Sequence, residues 1–166
     1  QMLYKGPKLV WHLIGHLQVN KVRQAVPMFD LIHSVDSKKL LDEIEKVAAK
    51  HDKVQDILLQ VNVAREASKS GMSVEEFPEV RDYAKILPHV RVRGLMCMAP
   101  FFENPEEARP IFRVAYVLYE DMKGYFPEGD IQYLSMGMTH DFEVALQEGA
   151  NIVRVGTAIF GERVYN

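Results

Sequence analysis

Residues Asn151–Gly161 read NIVRVGTAIFG. A short apolar run carries one arginine and then breaks at a Gly-Thr step. Ile152, Val153 and Val155 are β-branched, which favours a buried strand. Side chains alternate along a strand, so Ile152, Arg154 and Gly156 share one face. A charge on a strand buried on both sides needs an acceptor, because an unpaired buried charge is very costly. Gly156 lets a ligand approach the backbone closely. Thr157 offers a hydroxyl and an N–H, and Ala158-Ile159-Phe160 can begin a short helix whose N-terminus attracts anions. Two readings are open at this point. One is a phosphate site beside a buried cation; the other is an ordinary strand whose arginine pairs with a core carboxylate.

Outward from this strand, the same strand-then-helix unit recurs along the chain. Leu9–Ile14 (LVWHLI) reads as a first strand, followed by a polar loop and a short helix to Met28. Asp30–Val35 is a second strand. Asp36 or Ser37 caps a helix whose Leu40, Leu41, Ile44, Val47 and Ala48 fall at helical spacing. Asp56–Val63 is a third strand, with a loop over Ala64–Gly71. Ser73 and Glu76 form a capping box for a helix running to Leu87. Val90–Met98 holds a fourth strand. A helix follows from Pro105 to Lys123, then a fifth strand over Ile131–Met136. Thr139 or His140 opens a last helix that stops at Gly149. Units of this length imply parallel strands joined by crossover helices. A doubly wound open sheet and part of a (β/α)8 barrel both fit, and either puts its ligand at the carboxyl ends of the strands.

The bulk numbers narrow the function. The chain has 166 residues, 48% hydrophobic and 26% charged, with a formal net charge of −3. That size suits one domain, and that balance offers no basic face to nucleic acid. No apolar run approaches the length of a membrane span. The single cysteine, Cys97, excludes an internal disulfide, fits a reducing compartment and reads as a small core residue. His16, His33 and His140 fall in separate units without metal-ligand spacing, so no metal is expected. Ser135 lacks the G-x-S-x-G elbow of a nucleophile. The strand-end candidates that remain include His16, Asp36, Asn62, Met96, Met98, Ser135, Gly137, Arg154, Gly156 and Thr157. In (β/α)8 barrels the loops after the last two strands often make a phosphate site with a short extra helix. Ser135 and Thr157 belong to the last two units here, although Ser135–Met138 also reads as a tight turn.

Five stretches, in order along nearly the whole chain, resemble the pyridoxal phosphate homeostasis proteins, the YggS/PROSC family. They are WHLIGHLQVNKVR (Trp11–Arg23), ASKSGM (Ala67–Met72), VRGLMCMAP (Val92–Pro100), SMGMTHDFEVAL (Ser135–Leu146) and VRVGTAIFGER (Val153–Arg163). The resemblance implies an α/β fold, the alanine-racemase-like (β/α)8 TIM barrel, as a single domain over residues 1–166. It implies pyridoxal 5′-phosphate (PLP) as cofactor and a cytoplasmic role in buffering or delivering it for vitamin B6 homeostasis. PLP-dependent apoenzymes are the implied partners, and no catalytic turnover is established for the family. Carried over by position, Ser135, Gly156 and Thr157 would hold the phosphate, Arg154 would face the pyridine nitrogen, and Met96 and His16 would line the pocket. The residues match strands three to eight. The family's Schiff-base lysine belongs to the first strand, and Lys5 and Lys8 in YKGPK do not match it. The expectation is therefore an N-terminally truncated barrel without that lysine and with two open edges.

A PLP-dependent amino-acid racemase of the same fold is the alternative. Racemases need the cofactor as an electron sink. A permanent positive charge at the ring nitrogen disfavours its protonation and weakens that sink. A second base, usually a tyrosine, must then compensate. None of Tyr4, Tyr83, Tyr116, Tyr119, Tyr125, Tyr133 and Tyr165 falls at the end of an expected strand, so binding is favoured over racemisation.

Overall fold

The structure, a computed structural model, describes residues 6–66 and 70–161. Six parallel strands form one sheet: β1 (His12–Leu13), β2 (Leu31–Val35), β3 (Gln55–Val61), β4 (Val90–Cys97), β5 (Tyr133–Met138) and β6 (Ile152–Arg154). Neighbours in the sheet are neighbours in sequence throughout. A doubly wound sheet reverses its order at a switch point, whereas a barrel wall adds each strand beside the last. Of the two architectures the pattern leaves open, the structure is an arc of barrel wall.

The connections are α1 (Val22–Met28), α2 (Lys38–Lys50), α3 (Phe77–Lys85), α4 (Arg109–Lys123) and α5 (Phe142–Gln147), with α6 (Thr157–Phe160) after the last strand. The main core lies between helices and sheet. Ile57 and Leu59 of β3, Leu95 and Cys97 of β4, and Leu134 and Met136 of β5 pack with Leu41 and Ile44 of α2, Phe77 of α3 and Phe112 of α4. Alternation sends the intervening residues the other way. Leu58 and Met96 join Leu31 in a second buried cluster, with Tyr133 against it.

That second face is strongly concave. In a flat sheet β2 and β5, three strand spacings apart, would stand about 14 Å from each other. Yet His33 Nδ1 of β2 lies 3.0 Å from Ser135 Oγ of β5. Only a sheet curled toward this face brings the two side chains together.

Several helix starts follow the expected chemistry. Ser37 caps α2, its Oγ accepting from Leu40 N–H. Ser73 and Glu76 close their box, Ser73 Oγ accepting from Glu76 N–H at 3.1 Å and Glu76 Oε2 from Ser73 N–H at 2.9 Å. That box tightens a turn before α3, so the helix starts at Phe77 and ends at Lys85 rather than spanning 73–87. Other boundaries shift as well. β1 keeps only His12–Leu13 of the expected Leu9–Ile14, because it pairs on one side only and Leu9, Val10 and Ile14 lie exposed. β5 begins at Tyr133 and runs on through Gly137, whose φ of +90° lets a bulge carry the strand to Met138. Ser135–Met138 is strand, not a turn. α5 starts after Asp141, because Asp141 Oδ1 accepts from Met138 N–H at 2.6 Å and closes the preceding turn. The Pro105 helix opens as one 3-10 turn, Pro105–Ala108, before α4. Part of the Ala64–Gly71 loop, 67–69, lies outside the described residues, as do Tyr4, Lys5 and Tyr165. Among the described residues no helix is long and apolar enough to cross a membrane.

Candidate functional site

The site grows from the end of β6. Arg154 is buried, 8% exposed, and points into the concave face. Its Nη1 donates to Ser135 Oγ at 2.7 Å and its Nη2 to the Cys97 carbonyl at 2.9 Å. Both partners are neutral oxygens. The expected core carboxylate is not what satisfies this arginine. Burial accordingly holds the guanidinium below the ordinary arginine pKa, with Cys97 and then Asp141 acting in the other direction.

Ser135 is fully buried and sits opposite Met96 in the β4–β5 register. Its hydroxyl also meets His33, and His33 Nε2 lies 3.1 Å from His12 Nδ1. His33 is held neutral, its pKa lowered to about 3 by burial first and then by the nearby His12 and Arg154. Burial lowers His12 too, partly opposed by Asp30. Cys97 lends the site its carbonyl and not its sulfur. The thiol is fully buried and pushed up to about 12 by desolvation, which keeps it an inert core group.

Beyond Arg154 the chain opens to solvent. Gly156 and Thr157 are exposed, and a Cβ built on Gly156 would meet nothing within 4 Å. Gly156 N–H reaches Thr139 Oγ1 at 3.3 Å, across from the end of β5. Gly137, two residues before Thr139, packs closely against α5. A Cβ there would lie 2.6 Å from Ala145 Cβ and 2.9 Å from Phe142 Cα, so glycine alone lets α5 close against β5. Ile159 and Phe160 N–H both donate to the Gly156 carbonyl, at 3.0 and 2.9 Å, so the first two amides of α6, those of Thr157 and Ala158, are the ones left without a helical partner.

The structure thus brings Ser135, Arg154, Gly156 and Thr157 together around the ends of β5 and β6. Met96 adjoins them but is fully buried against Leu31 and Leu58. His16 stands apart, exposed in a depression of about 380 Å³ beside Leu13, Leu17 and Lys21. The structure adds Thr139, His33 and His12, none of which is among the strand-end candidates read from the sequence. The two histidines sit inside the apolar runs LVWHLI and DLIHSV, where only the curl of the sheet reveals a shared face. Among the described residues no group of three or more His, Cys, Asp or Glu is placed to hold a metal ion. No described tyrosine lies at the carboxyl end of a strand; Tyr133 opens β5 at its other end.

Comparison with known proteins adds identity. The profile of the alanine racemase N-terminal domain matches residues 2–164. A pyridoxal phosphate homeostasis protein of Aquifex aeolicus is 49% identical over 161 residues, covering 97% of this chain and 70% of that protein. Two solved structures of PipY from Synechococcus elongatus superpose closely. The one without PLP has a TM-score of 0.87 at 36% identity, over 96% of this chain and 74% of that one. The one with PLP bound has a TM-score of 0.78 at 35% identity, over 93% and 72%.

Proposed function

The chain belongs to the family of pyridoxal phosphate homeostasis proteins, and on that premise we propose that it binds PLP at the ends of β5 and β6. The reading assigns the six strands to strands three to eight of an eight-stranded barrel. It assigns the chain the buffering or delivery of PLP to apoenzymes in a reducing cytoplasm, rather than turnover.

One observation carries the reading: a buried guanidinium, held by two neutral oxygens, beside an open glycine turn. The donor set fits a phosphorylated pyridine. The exposed turn at Gly156 and Thr157, with its free first amides, suits a phosphate, and Thr139 stands beside it. Arg154 supplies a fixed donor toward a ring nitrogen. A permanent cation there keeps that nitrogen unprotonated. PLP, when bound, supplies an electron-withdrawing ring and a reactive aldehyde. Ser135, already engaged with Arg154 and His33, orients the guanidinium from within. Among the described residues no strand contains a lysine. None of Ser135, Thr139, Arg154, Gly156 and Thr157 is a lysine, so the contacts these residues make with PLP are non-covalent.

Calorimetric titration of the chain with PLP, pyridoxal and inorganic phosphate tests the assignment. PLP is expected to bind at least about tenfold tighter than either part alone. Borohydride treatment of the complex is expected to leave no single modified lysine. Gly156→Ala sharpens the test, because its methyl enters open space and leaves thermal stability unchanged. It is expected to weaken PLP while sparing pyridoxal. Phosphate binding as tight as PLP, or equal losses for both ligands, would count against the proposal and favour a general phosphate site.

A further inference from the structure

Four side chains form one continuous hydrogen-bonded line across the concave face. Arg154 Nη1 donates to Ser135 Oγ at 2.7 Å, Ser135 Oγ lies 3.0 Å from His33 Nδ1, and His33 Nε2 lies 3.1 Å from His12 Nδ1. The line runs from β6 through β5 and β2 to β1, and three of its four members, Arg154, Ser135 and His33, are buried.

The direction of the line follows from its buried end. A guanidinium has donors only, so Ser135 Oγ must accept from Arg154. The hydroxyl has one proton, and His33 Nδ1 is the remaining neighbour to receive it. The reverse arrangement would point a ring N–H at an oxygen already taking a guanidinium N–H. It would also leave the hydroxyl proton without an acceptor in a dry interior, which is costly. An imidazole that accepts at Nδ1 carries its proton on Nε2. His33 therefore donates to His12 Nδ1, and His12 keeps its own proton on Nε2, on the more exposed side.

We propose that His33 is a positioning residue for Arg154: by accepting the Ser135 proton it holds the serine lone pair on the guanidinium and fixes the orientation in which Arg154 meets its ligand. The proposal deepens the PLP assignment and rests on Arg154 as the ring-nitrogen donor. The low pKa of His33 agrees with it, because an imidazolium would donate from both nitrogens and break the line at Ser135. Without His33 the hydroxyl turns freely, and the Cys97 carbonyl is left as the fixed partner of the guanidinium.

NMR on the ligand-free chain reads the line directly. Long-range proton–nitrogen correlation of the rings is expected to show His33 neutral with its proton on Nε2. The Arg154 side-chain N–H signal is expected to be sharp in the wild type, broadened in His33→Leu and sharp again in His33→Asn, whose carbonyl oxygen replaces the lost acceptor. A proton on Nδ1, an imidazolium near neutral pH, or an unchanged signal in His33→Leu overturns the proposal. The same three proteins are then titrated with PLP. His33→Leu is expected to lose about tenfold in affinity and His33→Asn to recover to within about threefold. Equal losses in both folded variants reduce His33 to packing and overturn the proposal. Should His33→Leu fail to fold, the Ser135→Ala background serves. There the line is already cut, so His33→Asn is expected to have no further effect on affinity, and an additive loss overturns the proposal. A wild type that shows the expected tautomer and N–H signals yet binds no PLP sinks the ligand assignment and leaves the positioning role standing.

Discussion

Gly94→Ala is expected to cost the fold more than about 3 kcal/mol, enough to unfold a marginally stable domain. Gly94 lies inside β4 with a φ of +151°, opposite Tyr133 of β5. A Cβ there would sit 1.8 Å from the Tyr133 carbonyl oxygen and 2.7 Å from its carbon. These are backbone atoms of a neighbouring strand, so no rotamer change relieves the clash. The strands must separate, and the Gln132 N–H to Arg93 carbonyl bond of 2.8 Å beside them is lost. The Met96–Ser135 pairing follows in the same ladder, so the site goes with the fold. Urea unfolding monitored by circular dichroism measures the effect. A change under 1 kcal/mol, on the order of a tolerated surface substitution, would mean that β4 and β5 are not registered as the structure has them.

Arg154→Met is expected to separate binding from stability. Removing the guanidinium takes away charge-assisted hydrogen bonds, each worth about 1.5–3 kcal/mol, so PLP affinity falls by roughly 10- to 100-fold. The folded protein should lose little. Arg154 is buried without a carboxylate beside it, and its lowered pKa reports the cost of desolvating it. Replacing a buried charge by an apolar group of similar volume is often neutral or stabilising. Two opposing effects, the bonds lost to Ser135 and Cys97 and the desolvation relieved, hold the net change within about 1.5 kcal/mol. Parallel calorimetric titrations and urea melts decide the matter. An unfolded variant would make Arg154 a structural residue, and unchanged affinity would remove it from the ligand.

Much of the architecture is visible in local sequence. β-branched runs, helical spacing and caps such as Ser37 and Ser73 locate all six units, because each reflects forces acting within a few residues. Strand order is different. The doubly wound and barrel alternatives share the same local pattern, and only the sequential pairing in space separates them. The site is legible in the same graded way. Arg154, Gly156 and Thr157 lie in one contiguous stretch, and an arginine within a buried strand announces its need for acceptors. The acceptors themselves, Ser135 and the Cys97 carbonyl, come from 19 and 57 residues away. His12 and His33 are hidden more deeply, since their apolar neighbours read as plain core and their meeting depends on the curl of the sheet. Met96 faces the right way but is covered, and His16 belongs to another depression, because a strand-end position does not say which side of the loop a side chain takes.

The central claim is that PLP sits between the Gly156 turn and the Arg154 guanidinium. Titration of the nitrogen-15-labelled chain with PLP tests it most directly. The account predicts that the largest amide shifts fall on Thr139, Gly156, Thr157 and Ala158, with the Arg154 side-chain N–H moving in the same titration. Shifts centred on His16, Leu17 and Lys21, with Gly156 and Arg154 unmoved, would contradict it.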